Sequence, residues 1–520
     1  MSGCSLSLKP RMRNRSSFGR FYCRVFLLIL TCWANCTLPV FSEDNSGNMD
    51  ASGQPIVAAP GDPAIRQALK EISPTQIRQS IEKLVSFHNR NTLSSMDTNL
   101  ASGQGVTAAA DWIAAEFQRY SVACGGCLEV KRDSFTQQPE PPPQGRIPKP
   151  TTITNVYAIL RGSDPSQAAR MVLVTGHYDS RNTGPMETEA EAPGANDDAS
   201  GVAVSLECAR VLANMRAKGL KLPATLVFVA VAGEEQGLNG SLHLAEFAKS
   251  EGWQLEGVLN NDIVGGNTTP GETLQDKSAV RVFSEGIPAT ATPAEIKRIM
   301  GLGAESDSPS RELARSVVEV SRSYFATPSK DGSRAQSGAS ALQAFHPVLI
   351  FRRDRYLRGG DHTSFNQEGF AAVRFTEWRE DYNHQHQDVR TEKGVEYGDL
   401  LKFVDYSYVA NVARLNAATL ATLASAPAPP QNVTIVTKNL DNNTTLHWAA
   451  GLGAPANTAY EVVWRETSAP LWQRSLEVAP QSAGILAVTL PVSKDNVIFG
   501  VRALDPAGHR SIAVTPVPER

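Results

Sequence analysis

Residues 171–262 constrain the fold of this chain more than any other part of the sequence. They contain the segments MVLVTGHYDS, PGANDDASG, VFVAVAGEEQG and VLNNDIVGG. Short apolar runs that end at small residues are typical of buried parallel strands. In open α/β sheets, polar clusters at the carboxyl ends of such strands form the functional site. These residues therefore predict a mainly parallel sheet with a site at one edge.

The segments between these strands have the periodicity of amphipathic helices. Apolar residues recur at Val202, Leu206, Ala209 and Ala213, which predicts a helix between two strands. Alternating strands and helices indicate an α/β fold, a mainly parallel mixed sheet with helices on both faces. Residues 265–310 are polar and rich in Gly and Pro, and they predict a long loop over the site. Further helices are expected near residues 63–88, 106–120, 240–250, 310–325 and 398–424.

The pattern changes after the break ASAPAPP, which predicts a linker at residues 425–430 and a large α/β domain at 63–424. Residues 431–520 alternate apolar and polar positions between turns, which predicts a small all-β sandwich. Its expected core is Trp448, Tyr460, Val462, Trp464, Phe499 and Val501. Because it has no catalytic constellation, we expect this domain to act as a spacer or to bind a surface or polymer.

The first 42 residues differ from the rest of the chain. Five arginines between positions 11 and 24 precede a short apolar run at residues 25–30, which predicts a signal peptide at 1–42. Such a run is too short to cross a bilayer as a helix, although an uncleaved anchor is the alternative. Residues 43–62 are rich in small and polar residues and predict a linker or pro-segment. We expect a secreted or periplasmic chain with no integral membrane span.

The cysteines and the net charge indicate the cellular compartment of the protein and the kinds of partner that it binds. Cys124 and Cys127, separated by two glycines, predict a local disulfide in an oxidising compartment. Cys208 lies in a predicted helix and is expected to be a buried apolar residue. The chain has 50 Lys and Arg against 53 Asp and Glu, a net charge of −3. This balance argues against a nucleic-acid partner.

The polar clusters supply the side chains of a metal site. They combine His and carboxylate groups without Cys: His177 and Asp179, Asp197 and Asp198, Glu234 and Glu235, Asp262, and the late pair His384 and His386. This chemistry suits zinc in a catalytic site. Two ions about 3.5–4 Å apart need a bridging carboxylate, and a separate carboxylate must act as general base. The sequence offers a candidate for each position.

In order and composition, these motifs resemble those of the co-catalytic di-zinc exopeptidases over roughly residues 75–420. That family includes secreted bacterial leucine aminopeptidases, glutamate carboxypeptidases and glutaminyl cyclases. The resemblance implies a zinc-exopeptidase fold and two Zn²⁺ ions as cofactors. Residues 431–520 resemble a fibronectin type III module, with PPQNVTI at the start and VRALDPAGHRS near the end.

The resemblance also assigns a role to the first motifs. His177 would be a zinc ligand that Asp179 orients without binding metal. Asp197 would bridge the two ions, and Asp198 would support the turn. Asp262 would be a terminal ligand of the ion that His177 and Asp197 hold.

By the same resemblance, Glu234 would be the general base and Glu235 a ligand of the second ion, since neighbouring side chains of an extended segment point to opposite sides. The late ligand in the family is a His followed four residues later by Asp or Glu. That spacing favours His384, and His386 is the alternative. Asp361-His362 matches an element near the family's substrate pocket.

We therefore expect a metallo-exopeptidase that acts on peptides or proteins, with an aminopeptidase as the leading interpretation. Asp361 or Glu377 could bind the free amine of a substrate. A carboxypeptidase would instead use the basic run Arg352, Arg353, Arg355 and Arg358 to bind a carboxylate. A glutaminyl cyclase with one zinc and a non-catalytic binding ectodomain are further alternatives, and complete ligand sets for two ions argue against both.

Overall fold

The structure, a computed structural model, describes residues 53–141, 145–325, 345–481 and 484–519. The predicted signal peptide at 1–42 lies outside these residues, as does the first half of the predicted segment at 43–62. Within the described ranges, no helix combines the length and apolar character needed to cross a bilayer.

The helices and strands follow the predicted alternation. The helices are α1 (Pro63–Lys70), α2 (Pro74–Val85), α3 (Gly105–Ala123), α4 (Ala199–Ala217), α5 (Asn239–Ser250), α6 (Pro293–Leu302), α7 (Pro309–Phe325), α8 (His362–Gln367) and α9 (Tyr406–Ser425), with short 3-10 turns at Thr92–Met96 and Leu401–Phe403. The strands are β1 (Gln54–Pro55), β2 (Leu128–Gln137), β3 (Thr151–Leu160), β4 (Arg170–His177), β5 (Thr225–Val231), β6 (Gln254–Asn261), β7 (Ala279–Ser284), β8 (His346–Ile350), β9 (Ala372–Glu377), β10 (Arg390–Glu392), β11 (Val395–Tyr397), β12 (Gln431–Val436), β13 (Thr444–Ala449), β14 (Ala459–Glu466), β15 (Arg474–Val478), β16 (Leu486–Leu490), β17 (Val497–Leu504) and β18 (Val517–Glu519).

An eight-stranded mixed sheet in the order β2-β3-β5-β4-β6-β9-β7-β8 forms the centre of the large domain. The neighbours β5, β4, β6 and β9 are parallel, as are β7 and β8. Strands β2, β3 and β7 introduce the antiparallel pairs. This sheet confirms the predicted α/β fold class. Its parallel centre brings the carboxyl ends of β4, β5 and β6 to one edge.

Helices cover both faces of the sheet. Helices α2, α3, α4 and α9 pack in the largest apolar core, and α5 and α8 pack in a second one. Along β4, Val172 and Val174 face the first core, whereas Leu173 faces the second. Every residue of β4 and β5 is buried, as expected for strands covered on both sides.

Residues 265–310, expected to be an insertion or a long loop, are not loop throughout, because they contain β7 and α6. Strand β7 joins the central sheet between β9 and β8. Helix α6 begins with a capping box in which Thr292 and Glu295 bond each other's backbone N–H groups. The many Gly and Pro residues around these short elements hid their periodicity.

The C-terminal region contains two four-stranded sheets, β1-β15-β14-β17 and β16-β13-β12-β18. All six residues expected in its core are buried: Trp448, Tyr460, Val462, Trp464, Phe499 and Val501. Strand β1 precedes the large domain in the chain, yet Gln54 pairs with Ser475 of β15. The segment before α1 therefore contributes a strand to the C-terminal region.

Buried polar groups join the C-terminal region to α7. Arg502 contacts Glu319 at 2.6 Å, and Trp472 Nε1 donates to Glu312 Oε2 at 3.1 Å. The side chains of Arg502 and Glu312 are 3% and 2% exposed. The C-terminal region and α7 therefore share a buried polar interface, which a domain joined only by a flexible linker would lack. The predicted domain boundaries at 424 and 431 stay predictions.

The predicted disulfide is present between Cys124 and Cys127, directly after α3. Gly125 and Gly126 between them have φ values of +77° and +87°, a left-handed conformation that favours glycine. Cys208 is buried in α4 with a free thiol, as expected.

Candidate metal centre

The predicted cluster residues converge at the carboxyl edge of the parallel strands. His177 is the last residue of β4, Asp262 directly follows β6, and Glu234 and Glu235 lie on the turn after β5. Asp197 lies on the loop before α4. Because parallel neighbours end at the same edge, residues far apart in sequence meet there.

Asp197 lies between two histidines. Its Oδ1 is 3.1 Å from His177 Nε2, and its Oδ2 is 2.9 Å from His386 Nε2. The backbone N–H of Asp197 donates to Asp399 Oδ2 at 2.7 Å, and Gln385 Nε2 donates to Asp197 Oδ2 at 2.7 Å. One short carboxylate thus presents one oxygen to each histidine, as a bridging ligand must.

Two sets of ligand atoms meet at this carboxylate. Within each set the three atoms lie within 4.8 Å of one another: His177, Glu234 and Asp262 in one, and Asp197, Glu235 and His386 in the other. In the second set, His386 Nε2 is 3.0 Å from Glu235 Oε1. In the first, His177 Nε2 is 4.0 Å from Asp262 Oδ1. The predicted ligands, together with the predicted general base Glu234, are therefore close enough to surround cations.

The donor atoms fit zinc better than a closed hydrogen-bond network. His177 Nε2 and Glu235 Oε1 are buried, and neither makes a well-formed hydrogen bond among the described residues, although they lie 3.1 Å from Asp197 Oδ1 and 3.0 Å from His386 Nε2. Buried polar atoms that lack a well-formed hydrogen bond are rare in folded proteins. Imidazole nitrogen and carboxylate oxygen are the ligands of catalytic zinc sites, so a bound cation accounts for both atoms.

Crowded carboxylates and burial shift the pKa values at this edge. Burial alone would lower the pKa of His177, but Glu234 and neighbouring carboxylates raise it well above its ordinary value. Burial raises the pKa of Glu234 well above its ordinary value, and adjacent carboxylates add to the rise. Burial would also raise the pKa of Asp197, but His386 and His177 hold it well below the usual range. A cation would relieve this repulsion.

Of the two late histidines, the structure brings His386 to the site and leaves His384 aside. His384 stacks on Phe403 with ring centroids 3.6 Å apart. His386 has a φ of +57° and contacts Asp197. The preference for His384, drawn from its spacing to Asp388, does not match this geometry. Spacing counts residues, whereas a left-handed residue changes the direction in which the chain continues.

The two aspartates expected to support the site do so through hydrogen bonds. Asp179 Oδ2 accepts from Thr92 Oγ1 at 3.0 Å and from the Glu235 N–H at 3.2 Å. The backbone oxygen of Asp179 lies 3.2 Å from His177 Nδ1. Asp198 Oδ2 accepts from the His177 N–H at 3.0 Å. These bonds fix the orientation of the first histidine and the turn after β5.

Three arginines at this edge were not singled out by any motif. Arg374 contacts Asp262 Oδ1 at 2.9 Å, and Arg181 Nε contacts Glu235 Oε2 at 2.8 Å. Arg90 is completely buried and donates to backbone carbonyls on the turn that precedes Asp197. The sequence indicated only one of these arginines. Arg374 is a charged residue inside the apolar strand AAVRFTE, and a charge that is buried in a strand requires an oppositely charged or hydrogen-bonding partner.

Asp361 lies at the start of α8 as a free buried carboxylate. Neither of its oxygens has a well-formed hydrogen bond among the described residues, and burial raises its pKa to about 7. His362 has a pKa lowered to about 4 by burial, and its Nε2 lies 2.8 Å from the Arg353 backbone oxygen. Glu377, the other carboxylate considered for amine binding, accepts two bonds from Asn196. Asp361 is therefore the better placed of the two for a ligand.

The basic run is partly neutralised by its surroundings. Arg355 contacts Asp354 at 3.1 Å and Glu380 at 2.7 Å. Arg358 Nη1 donates to Gln385 Oε1 at 3.3 Å, which places the run close to the site. Recognition of a substrate carboxylate by these arginines stays a prediction.

Comparison with known proteins identifies sequence relatives of this chain. Residues 155–299 match peptidase family M28. A probable zinc metalloprotease of Pyrenophora teres f. teres is 44% identical over 469 residues, which cover 90% of this chain and 89% of that protein. One of Pyricularia oryzae is 45% identical over 473 residues, with 90% and 87% covered. Among solved structures, the LapA aminopeptidase of Legionella pneumophila covers 69% of this chain and 73% of its own, at 19% identity and a TM-score of 0.45.

Proposed function

The chain belongs to peptidase family M28 and is a zinc metalloprotease, and from that premise we propose that it is a secreted aminopeptidase with two zinc ions. The observation that carries this proposal is the position of Asp197, whose two oxygens face His177 and His386 separately. A site for one ion would not need a carboxylate turned to two histidines. The proposed ligands are His177, Asp197 and Asp262 for one ion, and Asp197, Glu235 and His386 for the other.

Two bound zinc ions would supply Lewis-acid chemistry, because they lower the pKa of a water molecule and polarise the scissile carbonyl. Among the carboxylates of the two ligand clusters, Glu234 is the one that remains partly exposed. It can therefore accept a proton from the attacking water and deliver it to the leaving amine. Asp179 keeps His177 in the orientation that presents Nε2 to the site.

Asp361 supports cleavage at the amino end of a peptide. A buried carboxylate without well-formed hydrogen bonds is costly unless a ligand supplies donors. The free α-amine of a peptide substrate offers a positive charge and such donors. Because a carboxypeptidase needs the opposite charge, Asp361 favours an aminopeptidase over that alternative.

Secretion is supported by two features. The basic and apolar pattern of residues 1–42 is typical of a signal peptide. The disulfide between Cys124 and Cys127 is typical of an oxidising compartment.

The decisive experiment measures zinc per purified chain and hydrolysis of aminoacyl-anilides on the same sample. We expect two zinc ions and chelator-sensitive release from substrates with a free amine. Amino-blocked versions of the same anilides serve as the control and should not be cleaved. One zinc without release, together with cyclisation of amino-terminal glutamine, would support a glutaminyl cyclase instead. Cleavage only at a free carboxyl end would support a carboxypeptidase.

A further inference from the structure

The two histidines that face Asp197 differ in what lies behind them. His177 Nδ1 is 3.2 Å from the Asp179 backbone oxygen and 3.4 Å from Asp179 Oδ1. His386 Nδ1 is 2.6 Å from Arg181 Nη2. The first ring therefore has an acceptor at its far nitrogen, whereas the second ring has a donor.

This difference bears directly on cation binding. A neutral histidine that binds a metal through Nε2 carries its proton on Nδ1, and that N–H needs an acceptor. Asp179 provides one for His177. Arg181 cannot, because a guanidinium has donors and no acceptor. For His386 Nε2 to bind a cation, His386 Nδ1 must carry the proton. Arg181 must then move away from Nδ1, because otherwise its own N–H group would point at the N–H group of the histidine.

Arg181 also competes for the carboxylate of the same set. Its Nε contacts Glu235 Oε2 at 2.8 Å, and the Arg181 side chain is only 15% exposed. Its charge is therefore weakly screened by water. Charge alone does not distinguish the two sets, because Arg374 contacts Asp262 Oδ1 at 2.9 Å. The contact with a ligand histidine does distinguish them.

We propose that Arg181 weakens cation binding at the Asp197, Glu235 and His386 set, so that the chain takes up its first zinc at the His177 side and its second only at higher free zinc. This inference rests on the proposed two-zinc site. Arg181 would act as a positioning residue that holds Glu235 and His386 in place of the second ion. The second ion must displace these contacts before it binds.

The test is equilibrium dialysis of the full chain against buffered free Zn²⁺, with bound zinc measured by elemental analysis. Wild type should fill in two separated steps. Arg181→Gln removes the charge and the contact to His386, and we expect it to tighten the second step by roughly tenfold or more, the scale on which groups behind metal ligands act. Arg181→Lys keeps the positive charge but lacks the planar guanidinium, so the affinity for the second zinc ion should lie between those of wild type and Arg181→Gln.

Arg146→Gln is the matched control. Arg146 Nη1 donates to the Glu235 backbone oxygen at 2.7 Å, so it places a similar charge nearby without contacting a ligand side chain. Arg146→Gln should therefore bind its second zinc ion at the same free zinc concentration as wild type. Circular dichroism on each variant confirms that the fold is kept.

A second step that weakens or stays unchanged in Arg181→Gln would overturn the inference, and weakening would show that Arg181 supports the ligands. Both results leave the two-zinc proposal intact if wild type reaches two ions. Saturation at one ion in wild type and in every variant would instead overturn the two-zinc proposal, and this inference with it.

Discussion

At the scale of single residues, Glu234 and Glu235 are neighbours with different surroundings. Glu235 is buried between His386 and Arg181, whereas Glu234 is partly exposed. Burial would raise the pKa of Glu235, but His386 holds it below its ordinary value. The same environment raises the pKa of Glu234. The pKa values of these two neighbouring carboxylates are therefore shifted in opposite directions.

Glu234→Gln should reduce turnover by about 10²–10⁴-fold without loss of zinc, because the amide cannot accept the proton of the attacking water. Glu235→Gln is the matched comparison and should lose zinc as well as activity, because it removes a ligand charge. Zinc content and turnover measured on both proteins check this. Full activity in Glu234→Gln would show that another group is the base.

His386→Ala should bind at least one zinc ion fewer than wild type at equal free zinc, because His386 Nε2 faces both Asp197 and Glu235. His384→Ala should keep its zinc, since that ring packs on Phe403. Zinc per chain measured on the two variants decides between the histidines. The reverse pattern would restore the ligand favoured by sequence spacing.

At the scale of elements, β9 shows how a buried strand accommodates charge. All six of its residues are buried, including Arg374 and Glu377. Arg374 Nε donates to the backbone oxygen of Asp262 at 2.5 Å, which ties β9 to the end of β6. Glu377 accepts from Asn196, which is next to Asp197. The strand therefore links two ligand-bearing segments through its own charged side chains.

Glu377 should make stability depend on pH. Burial raises its pKa from 4.5 to about 8 in the folded chain, so the folded state binds this proton more tightly than the unfolded state. The resulting stabilisation is complete below pH 4.5 and is lost as pH rises through about 8. A shift of this size corresponds to a change on the order of 5 kcal/mol in the free energy of unfolding.

Glu377→Gln tests this effect, because the amide stays neutral at every pH. The free energy of unfolding of both proteins, measured with urea between pH 5 and pH 9, should change less with pH in the variant. Equal slopes would mean that Glu377 is ionised throughout.

At the scale of the whole molecule, the C-terminal sheets are joined to the large domain by buried charges. Arg502 contacts both Glu319 of α7 and Glu461 of β14. Removal of one member of a buried ion pair leaves its partner uncompensated and costs more than the pair contributes. The C-terminal region should therefore stabilise the peptidase domain.

Arg502→Met should lower the free energy of unfolding by about 3–5 kcal/mol. The matched control is Arg78→Met, which breaks the exposed pair with Glu82 and should cost less than about 1 kcal/mol. Urea midpoints of the two variants check the difference. A cost for Arg502→Met no larger than the control would show that the two regions are energetically independent.

The α/β class, the buried strands and the candidate ligands up to Asp262 could be predicted from the amino-acid sequence alone. Each signal was local, because an apolar run, a small residue and a polar cluster follow one another within one segment, as at His177 and Glu234. The apolar core of the C-terminal sheets could likewise be predicted, because apolar and polar residues alternate along its strands. Strand β7 and α6 were missed because their patterns are short and interrupted.

Which of the two late histidines contacts Asp197 could be seen only in the folded chain, where His386 makes the contact. The folded chain also shows that Arg181 and Arg374 contact ligand carboxylates and that Gln54 joins the C-terminal sheets. These contacts join residues that are distant in sequence, and the direction of each side chain depends on how loops continue after the strands. No spacing within one segment carries that information, because it arises only when the strand ends meet at one edge of the sheet.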